Sequence, residues 1–133
     1  MKSHVYLILR LGLGFSLFGH GLVRLSKLTD FSKWMISSFK DSMLPEFIVA
    51  PFSYALPILE FIIGLLLLLG LFSKHAFFTG SVVMLSLLFG TCLIENWEAV
   101  PSQLIHLAFF AVLLNFADAN SYSLDRLVLN KKI

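Results

Sequence analysis

Glu60 lies inside the apolar run that starts at Pro57 and continues through a string of leucines to Gly70. A carboxylate at such a depth in a membrane helix costs roughly 3 kcal/mol on insertion scales, so it calls for a partner, a proton or a task. His20, His106 and Arg24 are the ionisable groups that other apolar runs can bring to it, with Gln103 and Thr91 as polar neighbours. Imidazole and carboxylate together can donate to carbonyl oxygens and pass protons. Three readings of this set stand open. It can be a satisfied polar cluster that only fixes helix packing. It can be a site for a quinone head group, with the isoprenoid tail lying along Leu- and Phe-rich helices. It can hold haem between His20 and His106, a reading disfavoured because the carboxylate in the same layer would go unexplained. A metal site from two histidines and Glu60 is a weak signal, and none is assigned.

Composition fixes the solvent in which these residues work. The 133-residue chain is 58% hydrophobic and 14% charged, with a mean hydropathy of +0.88. Soluble domains carry about 25% charged residues, so this is a membrane protein, and one domain is the sensible count. A net charge of +2 excludes nucleic acid as an expected partner. Cys92 is the sole cysteine, which rules out an intramolecular disulfide, a CxxC redox pair and a cysteine zinc site. A buried thiol with no activating charge is packing.

The expected fold is all-α: an integral membrane four-helix up-down bundle with spans at about 4–25, 52–72, 76–94 and 101–116. The first span is too long for a signal peptide, contains Arg10, His20 and Arg24, and lacks a small-residue cleavage site, so it is expected to be retained. At 100° per residue those three groups share one sector, which must face the bundle, while Gly12, Ser16 and Gly19 form a separate stripe fit for close packing. Arg24 can pair or snorkel to the interface; Arg10, deeper, favours an intramembrane pair or a carbonyl contact. Phe31, Trp34, Met35, Phe39 and Met43 recur at helical spacing, predicting an interfacial amphipathic helix over about 31–44, either a strut or a lid over a cavity opening sideways to lipid. Pro45, Pro51 and Pro57 are expected to break the chain before or at the start of the second span, and Ser73-Lys74-His75 to turn into the third. Asp118 to Ser121 ends the fourth span, and a short tail helix finishes in Lys131-Lys132.

Depth follows from the rise of 1.5 Å per residue. His20 falls about 10 Å, Glu60 about 12 Å and His106 about 8 Å below the same surface, with Thr91 at a similar level and Gln103 a turn above His106. Arg10 is nearer the other surface, so Arg24 is the better partner for Glu60. Lys2, Lys74, Arg126, Lys131 and Lys132 gather on the side of both termini, against Arg24, Lys27, Lys33 and Lys40 opposite, so both termini are expected in the cytoplasm.

Several motifs occur in an order that resembles DoxX-like membrane proteins. They are Arg10-Leu11-Gly12-Leu13-Gly14-Phe15, then Gly19-His20-Gly21 with Arg24-Leu25, then Pro57-x-x-Glu60-x-x-x-Gly64 and Leu69-Gly70-Leu71 with Lys74. Ser121-Tyr122-Ser123-Leu124-Asp125-Arg126 is similar to that family's C-terminal signature, although Asp118-Ala119-Asn120 replaces its glycine-rich turn. The family takes its name from a membrane subunit of a thiosulfate:quinone oxidoreductase. The resemblance implies a bacterial cytoplasmic (inner) membrane, a quinone as cofactor, and a partner protein subunit or a homo-oligomer supplying the rest of the chemistry. Glu60 and His20 would then handle protons, with His106, Arg24, Gln103 and Thr91 binding the head group. A non-catalytic assembly or anchoring subunit is the alternative. Transport of a small weak acid is a third possibility, against which stands the lack of an inverted repeat or broken helix pair.

Overall fold

The computed structural model describes residues 1–130. It is built of helices, with no strand among the described residues: α1 (Ser3–Ser26), α2 (Leu28–Phe39), α3 (Glu46–Leu69), α4 (Ser73–Leu93), α5 (Val100–Asn115), a 3₁₀ turn (Ala117–Ala119) and α6 (Leu124–Asn130). Helices α1, α3 and α4 are long and apolar enough to cross a membrane, and α5 is a shorter apolar helix. Lys131 and Lys132, expected to end the tail helix, lie outside the described residues.

The α1–α3 contact positions everything else. The two helices run antiparallel, and each uses a glycine to let the other's backbone in. A Cβ on Gly21 would come within 2.4 Å of the Phe61 nitrogen, and one on Gly64 within 2.3 Å of the Phe18 nitrogen. Without a hydrophobic drive between helices in lipid, such small-residue contacts are what hold them together. The expected stripe is not the one used. Gly12 and Gly19 have open space where a Cβ would stand, and Ser16 turns to α5 instead, because Gly14 and Gly21 lie on the side that carries the buried leucines Leu13 and Leu17.

Helix α3 runs unbroken through Pro51 and Pro57 and begins six residues before the expected span. In a bilayer a proline costs one backbone bond or a kink, whereas abandoning the helix leaves several groups unpaired, so the helix persists. The additional N-terminal turns of α3 stand beside α2, where Val49 shares an apolar cluster with Met35, and beyond them the hydroxyls of Ser32 and Ser53 meet at 2.7 Å, both buried. Helix α2 therefore starts directly after Lys27 and stops at Phe39, shorter than expected and shifted towards the N-terminus. It buries Met35 while Trp34 faces outward.

The α3–α4 turn is Gly70-Leu71-Phe72, and Ser73, Lys74 and His75 form the first turn of α4, not the connection. Gly70 has φ +66, and a Cβ there would also strike Ser123 and Arg10, so glycine is required twice over. Helices α4 and α5 pack antiparallel, and one core joins Tyr6 and Leu13 of α1, Ile63 and Leu67 of α3, Phe77 and Met84 of α4, and Phe110 and Leu113 of α5.

Candidate functional site

Two helix ends converge on Glu60. Arg24, in the last turn of α1, places Nη1 2.7 Å from Oε1 and 2.8 Å from Oε2 of Glu60. Glu60 is buried and Arg24 keeps about a quarter of its side chain exposed (27%). The guanidinium also lies 4.7 Å from the centre of the Phe31 ring, so the first turn of α2 covers the pair from above. A charge pair at this depth satisfies the demand that Glu60 alone created.

The two histidines stand beside this pair, 6.3 Å apart between ring centres and nearly perpendicular. Each directs Nδ1 at a backbone carbonyl one turn back, His20 at Ser16 (2.6 Å) and His106 at Ser102 (2.7 Å). A carbonyl oxygen only accepts, so Nδ1 carries the proton in both rings and Nε2 is the free lone pair. In His106 that lone pair is taken, for the Ser16 hydroxyl donates to it at 2.7 Å. In His20, Nε2 has no partner among the described residues, and the ring is exposed.

That open nitrogen stands on the wall of a groove of about 460 Å³ lined by Ser16, Gly19, His20, Val23 and Arg24. The groove thus joins an acceptor, a cation and a half-buried hydroxyl on one helix face. Iron ligation by both histidines would require Ser16 to give up His106.

Gln103 and Thr91 form a separate pair between α5 and α4, with the Gln103 amide donating to the Thr91 hydroxyl at 2.8 Å. Thr91 is buried, and the Gln103 carbonyl oxygen is buried with no partner among the described residues. No hydrogen bond links this pair to Glu60 or His20 among the described residues. Cys92 is free and half-buried. Ser16 is the residue that reasoning on charged groups missed. Its position four residues before His20 was a usable signal, since a helix places i and i+4 on one face.

At the opposite end of α1, Arg10 is 2% exposed and has no ion pair among the described residues. Its guanidinium donates to the Asn120 side chain and, at 2.8 Å, to the Tyr122 carbonyl. Asn120 in turn donates to Ser73 at 3.1 Å, and Asp125 accepts from the backbone nitrogens of Phe72 (2.7 Å) and Ser73 (2.9 Å). The α4 start is therefore capped by a residue 52 positions away.

One comparison with known proteins covers the motifs between Arg10 and Lys74 and does not reach the C-terminal one at Ser121–Arg126. No curated protein and no solved structure matches the chain. The DoxX family model matches residues 5–93, which takes in Arg10, His20, Arg24, Glu60 and Thr91 and stops before Gln103 and His106. That stretch covers more than half of the sequence: this chain is a multi-pass membrane protein and belongs to the DoxX family.

Proposed function

We propose that the chain is a quinone-interacting subunit of a membrane redox assembly, and that the groove beside His20 receives the head group. The observation that carries this reading is the unpartnered Nε2 of His20 next to the Arg24–Glu60 pair. The residues fit such a group: the groove is at the small end of ligand sites, and Ser16, His20 and Arg24 supply polar groups beside Gly19 and Val23. A bound quinone supplies two-electron, two-proton redox chemistry. His20 accepts or returns a proton at Nε2 while its Nδ1–H stays on the Ser16 carbonyl, which fixes the ring. Arg24 orients a carbonyl oxygen from the groove side, and Glu60 holds Arg24 in place and balances its charge. His106 orients Ser16, and the Thr91–Gln103 pair stands apart from the groove between α4 and α5.

In this reading α1, α3, α4 and α5 cross the bilayer up and down, and α2 lies in the interface with Trp34 and Lys33 outward. The antiparallel α1–α3 and α4–α5 contacts support that order. At 16 residues α5 is short for a full span, which local bilayer thinning accommodates. Both termini are cytoplasmic in a bacterial inner membrane, and the electron donor belongs to a partner subunit or another copy. Mass spectrometry of an organic extract from gently purified protein tests the reading. Stoichiometric quinone in the wild type and its loss in Glu60→Gln are expected; bulk lipid alone in both preparations contradicts it.

The double contact of Arg24 on Glu60 favours a second reading, a non-catalytic assembly or anchoring subunit in which the pair only holds helices together. Glu60→Gln would then lower stability in detergent and leave bound cofactors unchanged.

A further inference from the structure

Under α2 lies a second space, unconnected with the polar residues. Helices α2, α3 and α4 enclose a cavity of about 300 Å³ lined by Met35, Phe39, Val49, Phe52 and Leu87, with Ile48 and Phe89 at its rim. Its one polar liner, Ser86, spends its hydroxyl on the Val82 carbonyl of its own helix at 3.0 Å. Nothing in the wall can therefore orient a polar head group.

We propose that this cavity is a binding site for one acyl chain of a membrane phospholipid. An ordered water is disfavoured as the occupant, because a buried water needs two to four polar partners and the wall provides at most one, the Ser86 oxygen as an acceptor. Left empty, the lining would forfeit its contacts on one side. An apolar occupant from outside resolves both. The route in is at hand: Ile48 and Phe89 are exposed (48% and 62%), and Phe47 beside them is exposed too (77%). They belong to the first turns of α3 and the last turns of α4, two helices long and apolar enough to cross a membrane, so the mouth opens onto lipid. The volume suits a chain segment of about ten methylenes, if each takes roughly the ~30 Å³ share of a water.

The full chain reconstituted in quinone-free phosphatidylcholine vesicles, with a fraction of lipid carrying a photoreactive diazirine at the chain end, tests this independently of the quinone reading. Adducts mapped by mass spectrometry are expected to concentrate on Met35, Phe39 and Leu87 over the outward Ile8 and Phe15 of α1. Ser86→Phe fills the cavity from its mouth and breaks no contact between helices. It should reduce the cavity adducts about tenfold, the loss expected from displacing roughly two buried methylenes, with the helical circular dichroism unchanged. Phe89→Ala widens the mouth and should retain them. Adducts spread evenly over lipid-facing positions would overturn the proposal, as would a chain-free cavity covered by a second copy in a native-mass dimer.

Discussion

Two arginines on one helix have opposite surroundings. Arg24 meets a carboxylate, keeps a quarter of its surface and borders a groove; Arg10 is sealed and meets only neutral oxygens. The Arg24 end leaves one imidazole nitrogen uncommitted and open to a groove, whereas at the Arg10 end both terminal guanidinium nitrogens are committed to Asn120 and Tyr122, Asn120 binds Ser73 in turn, and only the Arg10 Nε, buried out of reach, has no partner among the described residues. Burial alone thus does not mark a site. The more buried arginine is a latch that ties the C-terminal segment to the α3–α4 turn, and the less buried one stands where a ligand can reach.

The contrast can be broken most severely by removing a charge from one end. Glu60→Ala strands the Arg24 guanidinium and should cost about 3–5 kcal/mol in unfolding free energy measured in detergent. The double variant Arg24→Met with Glu60→Leu should recover most of that loss, since paired charges are replaced by packing. Asn120→Ala comes next: it leaves Arg10 and Ser73 each short of a partner, at about 1–3 kcal/mol. Asp125→Ala exposes the α4 start and should cost about 1 kcal/mol by thermal unfolding. Smallest is His20→Ala. Its ring is exposed and bonds only its own helix, so stability should change by less than about 0.5 kcal/mol while quinone binding is lost.

Much of the Arg24 end was legible in the sequence. Counting 1.5 Å per residue from the helix ends was enough to choose Arg24 over Arg10 for Glu60, and to set both histidines in the same layer. The arithmetic survived a wrong helix start at Glu46 because the additional turns of α3 stand beside α2. The Arg10 end was less legible. Arg10 was expected to find either an intramembrane pair or a carbonyl, and Tyr122 provides the carbonyl, but Asn120 sits 110 residues away in a turn whose shape no periodicity encodes. Gly12 and Gly19 misled for a related reason: a helix has several small-residue faces, and which one packs is decided by the partner, here Phe18 and Phe61 crossing Gly64 and Gly21. The prolines of α3 misled because rules learned in water weigh a lost backbone bond against hydration that lipid does not offer.

The account turns on whether the groove beside His20 takes a quinone head group. Titration of a short-chain quinol, whose hydroxyl can donate to the His20 Nε2, into nanodiscs of defined lipid, holding either wild type or His20→Ala, measures this directly. Saturable binding to the wild type, weakened about tenfold or more when one hydrogen bond to a charged or ionisable partner is removed, is the predicted result. Equal, non-saturable partitioning into both preparations would contradict it.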